Sequence, residues 1–342
     1  MSLNAAAAFA YADDTAVAFD ASPAPVAPQT SIRGEIAVRL TPKYGRAIVE
    51  AKVQYLWHGA DGAPTVIVQG GISASRDVCA NSAAAGWWDD LVGVGRALDL
   101  ARFRVLSIEW LSASDLGGPD AVSSEDQAAA IAGVLDALGL ERAHAFVGSS
   151  YGAMVGLALA TGHPPRIGRL VAISGAHRAH PLATALRAIQ REIIRNGIAA
   201  GAIEPALALA RQLAMTTYRG ADEFAERFDA EPQLRDGRYH FPVEDYLAAA
   251  GRKFVARFDA ARYLSLSESI DLHRVDPAAL SVPTTVVAVT SDRLVPSDDL
   301  RALAAASAAP AELHEIDSRY GHDAFLKEPE RIGALVARAL CC

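Results

Sequence analysis

A serine hydroxyl is a useful nucleophile only when a base takes its proton and a turn holds it clear of the backbone around it. Gly148-Ser149-Ser150-Tyr151-Gly152 offers such a turn, because this G-x-S-x-G pentapeptide directly follows the apolar stretch AHAFV and directly precedes the helix-like AMVGLALATG. The flanking glycines permit a tight strand-to-helix turn. That turn presents the central hydroxyl at the sheet edge and points the first N–H groups of the new helix at a forming oxyanion. Ser150 holds the central position and Ser149 does not. The pentapeptide is cheap in a chain rich in Gly and Ala, so its partners decide. In this arrangement an acid and then a histidine follow in chain order, each on a loop after a later strand. Asp292 directly follows TTVVAVTS, and His322 stands in SRYGHDAF, just after the strand-like AELHEID. Ser297 and Asp298 are better placed than Asp292 to cap the next helix, and His314 falls within strand-like alternation. The reading is Ser150 as nucleophile, His322 as base and Asp292 as orienting acid. The oxyanion hole combines the backbone N–H of Tyr151 with that of Gly71 or Ile72, in the loop after VIVQGG.

These residues need a scaffold that ends several strands at one edge. EIAVRL and AIVEAKVQYLW alternate apolar and polar residues like half-buried antiparallel strands. The nearly continuous apolar runs 66–71, 103–110, 143–150, 169–176 and 284–292 suit parallel strands covered on both faces. Helical segments separate them. In SEDQAAAIAGVLDALG, Ser124 and Gln127 read as a capping box, and Gly139 ends the run. The whole reads as an α/β fold of the α/β-hydrolase type, a mostly parallel doubly wound sheet built from 31–176 and 282–342. Residues 177–281 are nearly all helical in pattern and form an inserted cap over the carboxyl ends of the strands, where open α/β sheets bind ligands. Residues 1–30, rich in Ala, Pro, Ser and Asp, read as a disordered tail. Apolar cap faces carrying Leu207, Leu213 and Met215 suit either packing within the cap or a homodimer contact.

With 342 residues, 51% of them hydrophobic, the chain can bury a large core. A formal net charge of −8 with scattered Lys and Arg argues against nucleic acid or an anionic membrane as partner and for a small-molecule substrate. Cys79, Cys341 and Cys342 build neither a disulfide framework nor a metal pattern. No run approaches a membrane span, and the apolar stretch Ala5–Ala10 lacks the preceding charge of a signal peptide. A cytoplasmic protein without metal is the expectation.

Longer stretches carry a resemblance: GWWDDLVGVGRALDLARFRV (86–105), GSSYGAMVGLALA (148–160), LAMTTYRG (213–220), YLAAAGRKFVARFDAARYLSLSESIDLH (246–273), SDRLVP around Asp292, and GHDAFL (321–326). With these the chain resembles the homoserine O-acyltransferase family of the α/β-hydrolase superfamily over nearly all of its length after residue 35. The resemblance implies acyl transfer from an acyl-CoA co-substrate to L-homoserine at the start of methionine synthesis, by way of an acyl-serine. It further implies that Arg219 reaches the substrate carboxylate and that Asp323 holds the ammonium; a guanidinium fork and a carboxylate suit an amino-acid zwitterion. The short segment LSASDLGGPDAVSS, the GGISA stretch and the GSSYG elbow are more similar to the short branch using succinyl-CoA, in which a further cation should meet the succinyl carboxylate. Acetyl-CoA as donor, L-serine as acceptor, and a plain esterase or thioesterase of the same fold are the alternatives.

Overall fold

Each alternating stretch between residues 31 and 58 has one apolar and one polar face, and that pattern pairs them antiparallel. In the computed structural model, which describes residues 31–341 apart from 83, 119 and 120, β1 (Ser31–Leu40) and β2 (Val49–His58) run antiparallel with Ser31 opposite His58. The tail read at 1–30 lies outside the described residues. The apolar runs become β3 (Thr65–Gln69), β4 (Arg104–Ile108), β5 (Ala145–Ser149), β6 (Leu170–Ile173) and β7 (Thr284–Val289), followed by β8 (Ala311–Ile316). All eight strands form one sheet in the order β1-β2-β4-β3-β5-β6-β7-β8. Pairing is antiparallel at β1/β2 and β2/β4 and parallel throughout the rest.

The period of two along each strand sorts side chains into two cores. Ile67, Leu106, Phe146, Leu170 and Val286 face one side, where helices α1 (Ser124–Ala137) and α2 (Tyr151–Gly162) supply Ile131, Leu135, Val155 and Leu159. Val66, Val105, Val147, Val171 and Val287 face the other, together with Trp88, Ile332 and Val336. The capping box of α1 sits one residue earlier than the sequence suggested: Ser123 accepts from the Asp126 N–H, and Asp126 accepts from the Ser123 N–H. Gln127 instead turns inward, and its amide exchanges two hydrogen bonds with the Leu111 backbone. A buried backbone segment thus claimed the side chain that spacing alone assigned to the cap.

Between β6 and β7 the chain builds α3 (Pro181–Ala199), α4 (Ile203–Tyr218), α5 (Ala221–Phe228), α6 (Pro242–Val255) and α7 (Ala260–Leu272). A two-stranded hairpin, Gln233–Arg235 with Arg238–His240, interrupts them; the helical reading of this stretch missed it. Leu207 and Met215 are buried within the chain, because α4 is packed between α3 and α6. Leu207 belongs to the core, and Met215 faces the cavity described below. After β7 follow α8 (Ser297–Ala306), α9 (Ala324–Lys327) and α10 (Pro329–Cys341). Neither Ser297 nor Asp298 caps α8, whose N-cap is Pro296. Among the described residues no helix is long and apolar enough to cross a membrane.

Candidate active site

The turn from β5 into α2 leaves Ser150 at φ 54°, ψ −120°, a backbone conformation that non-glycine residues rarely adopt. Such strain persists only where the surroundings fix it. Here the Ser150 N–H is held by the Ile173 carbonyl at 2.8 Å, and the Gly152 N–H by the Gly70 carbonyl at 2.9 Å. Gly152 is required sterically, since a Cβ there would stand 2.1 Å from the Gln69 carbonyl oxygen. Ser149 points into the core, fully buried, with an unpartnered hydroxyl.

The three residues singled out from chain order meet at this turn. His322 Nε2 lies 2.7 Å from Ser150 Oγ, and His322 Nδ1 lies 2.7 Å from Asp292 Oδ2. The other oxygen of Asp292 accepts the N–H groups of Leu294 and Val295 at 2.8 and 3.0 Å. The carboxylate is thereby fixed in the loop after β7. An ionised Asp292 accepts the Nδ1 proton, so Nε2 is left as the acceptor for the Ser150 hydroxyl. Burial works to lower the His322 pKa, but the charge and hydrogen bond of Asp292, aided by the charge of Asp323, outweigh it, and the pKa stands above its ordinary 6.5.

Gly71 sits against Ser150, where a Cβ would be 3.9 Å from Oγ. Its carbonyl accepts from Trp110 Nε1 at 3.1 Å, so the loop is pinned from the β4 end. The N–H groups of Tyr151, Gly71 and Ile72 donate to no acceptor among the described residues, which leaves them free for an oxyanion.

A cavity of about 1060 Å³ opens over Ser150, bounded by Gly71, Ile72 and His322 on the sheet side and by α3, α4, α6 and α7 on the cap side. Arg219 and Asp323 both line it. Backbone contact sets their meeting: Gly220, just after α4, packs against the Arg319 carbonyl, and Gly321, at φ 57°, packs against the Tyr218 carbonyl. Arg219 Nη1 donates to Glu223 at 2.9 Å, and its Nε lies 3.1 Å from Asp323 Oδ2 without hydrogen-bond alignment. Arg227 shares the same Glu223 oxygen at 3.1 Å. Burial raises the Asp323 pKa above its ordinary value, although Arg219, His322 and Arg211 draw it back down. An ammonium arriving beside Asp323 would favour its charged form.

Sequence reasoning left the additional cation unassigned, and α3 supplies a candidate. Arg187 lines the cavity and bonds Asp271 through Nε at 2.8 Å, while Arg191 reaches the other Asp271 oxygen at 2.6 Å. Two guanidiniums thus share one carboxylate. The signal that could have found them is their place on the helix stripe of Ala183, Gln190 and Ile194; along it Ala183, Gln190, Arg191 and Ile194 are buried and Arg187 partly so. A second serine–histidine pair, Ser124 Oγ to His273 Nδ1 at 2.7 Å, is of another kind. Both residues are buried and neither lines the cavity. Burial drives His273 down to about 4, and no carboxylate among the described residues hydrogen-bonds to it.

The α/β-hydrolase-fold family matches residues 64–329. The homoserine O-succinyltransferase of Xanthomonas campestris pv. campestris is 50% identical over 91% of this chain and 84% of its own length. The serine O-succinyltransferase of Litchfieldella anticariensis is 33% identical, over 79% and 86%. Among solved structures, the homoserine O-acetyltransferase of Bacillus anthracis superimposes with a TM-score of 0.82 at 15% identity, covering 92% of this chain and 98% of that one, a likeness of fold. Fold, elbow and relatives agree that this chain belongs to the homoserine O-acyltransferase family of α/β-hydrolase-fold enzymes.

Proposed function

We propose that this enzyme transfers an acyl group, succinyl in preference to acetyl, from acyl-CoA to the hydroxyl of L-homoserine, a step of methionine biosynthesis. The observation that carries this is the hydrogen-bonded chain Ser150–His322–Asp292 on the floor of a cavity whose cap wall presents Arg219 beside Asp323. His322 takes the Ser150 proton at Nε2, and Oγ attacks the thioester carbonyl. The N–H of Tyr151 with that of Gly71 or Ile72 receives the oxyanion. The C–S bond breaks, and the proton passes from His322 to the departing CoA sulfur, leaving acyl-Ser150. Homoserine then enters with its carboxylate toward Arg219 and its ammonium toward Asp323. His322 removes its hydroxyl proton, the oxygen attacks the acyl carbonyl, and the Ser150 ester breaks as Oγ regains a proton. Transfer outruns hydrolysis where the cap keeps water from the acyl-serine.

The succinyl preference is supported by the name of the 50% identical relative and by the unbalanced charge of Arg187 and Arg191 against Asp271. L-Serine is the second reading for the acceptor, favoured by the serine O-succinyltransferase relative; one methylene is worth only about 1–3 kcal/mol of discrimination. The test is CoA release from succinyl-CoA and acetyl-CoA, each with homoserine, with serine and without acceptor. Release should require an amino-acid acceptor, be fastest with succinyl-CoA and homoserine, and fall by roughly 10⁴- to 10⁶-fold in Ser150→Ala. Equal release without acceptor would make the protein a hydrolase and overturn the reading.

A further inference from the structure

Most cations on the cavity wall already meet an anion: Arg187 shares Asp271 with Arg191, Arg219 has Glu223 and Asp323, Arg227 has Glu223, and Arg235 has Asp245. Lys253, Arg257 and Lys327 stand exposed toward solvent. Arg211 differs from both groups. It is half-buried on the cavity wall, and among the described residues it makes neither an ion pair nor a hydrogen bond. Two rings hold it instead: its guanidinium carbon lies 4.8 Å from the centroid of Phe254 on α6 and 5.3 Å from that of Tyr218 on its own helix. The Tyr218 ring in turn lies 6.0 Å from the His322 ring.

Contact with a ring occupies the face of a guanidinium and leaves its in-plane N–H donors open. None of the Arg211 nitrogens is sealed from the open cavity, so these donors are within reach of a ligand. Arg211, Met215 and Tyr218 recur at helical spacing and all line the cavity, so α4 turns this stripe toward the ligand space. Arg211 lies eight positions before Arg219, about 12 Å along the helix axis, and its charge is felt at Asp323.

We infer that Arg211 is a second carboxylate-binding group of the cavity, separate from Arg219 and held ready by the Phe254 and Tyr218 rings. This rests on the transferase reading above, which supplies two carboxylates: the α-carboxylate of the amino-acid acceptor and the far carboxylate of a succinyl donor. The chemistry recognised is the same for both.

Arg211→Met keeps a stem to pack on the rings and removes the charge; Arg211→Lys returns a point charge, and Arg211→Gln replaces the methionine variant should that one not fold. CoA release is measured with succinyl-CoA and with acetyl-CoA while the acceptor is titrated, and folding is followed by thermal melting. A charge-assisted hydrogen bond predicts a rise in KM of about 10- to 100-fold with kcat much less affected, partly reversed by lysine. A rise in the acceptor KM with both donors assigns the acceptor carboxylate. A rise in KM for succinyl-CoA but not acetyl-CoA assigns the donor carboxylate. Folded, charge-free variants with both KM values within about twofold of the wild type, or with a fall in kcat alone, overturn the inference. Lack of acceptor-dependent release in the wild type would instead overturn the proposed function.

Discussion

The floor and the roof of the cavity are built in different ways. On the floor, Ser150, His322 and Asp292 sit on loops at the carboxyl ends of strands: backbone hydrogen bonds fix Ser150 and the Asp292 carboxylate, and that carboxylate in turn holds the His322 ring. On the roof, Arg187 and Arg211 project from helices α3 and α4 and Arg219 from the residue that follows α4, and all three depend on other side chains for their position. Backbone fixation suits bond-making, where misplacement by about 1 Å costs roughly 100-fold. Side-chain networks suit recognition, because exchanging one member retunes the ligand without disturbing the turn beneath it. Chemistry therefore belongs to the strand ends, and specificity to the cap helices above them.

Three experiments bear on that division. Asp292→Asn should have the largest effect, since it removes the group that orients His322 from the floor: kcat should drop by about 10³- to 10⁴-fold. The pH profile gives the sign. The base must be neutral and its pKa is raised, so wild-type activity should be lost as pH falls through a value above 6.5. In Asp292→Asn the main raising cause is gone, and the acid limb should move to lower pH. A limb that stays in place would detach Asp292 from His322. Next comes Arg187→Met on the roof, which should lower the preference for succinyl-CoA over acetyl-CoA by about 10-fold or more and leave acceptor dependence intact; an unchanged preference would remove Arg187 from donor recognition. Smallest is Glu223→Gln, which loosens the Arg219 fork and should raise the acceptor KM about 3- to 10-fold with little change in kcat. If kcat fell as far as in Asp292→Asn, floor and roof could not be treated as separable.

The floor was legible in the sequence because its signals are local. A glycine-flanked serine between an apolar strand and a helix, an aspartate directly after a strand, and a histidine in a glycine-containing loop each announce their place within a few residues. Chain order then joined them, although 172 positions separate Ser150 from His322. The roof was less legible. Arg219 and Asp323 were identified through resemblance alone. Arg187 and Arg211 were not singled out, since nothing in their neighbourhood shows that packing turns them inward. Gln127 was misread for the same reason: its partner, the Leu111 backbone, lies 16 residues back and is reached only after the sheet forms. The hairpin at 233–240 escaped notice because its strands have three residues each, too short for a period-two pattern.

Strand periodicity and turn chemistry act over a few residues, so the sheet, the elbow and the chain order Ser150, Asp292, His322 could be read from the chain alone. Packing settled which charges enter the cavity, which of them are neutralised on the way, and that Arg211 faces it with no anion beside it among the described residues. Those outcomes depend on how helices far apart in the chain pack together, and on burial, which makes an unpaired charge costly enough to matter.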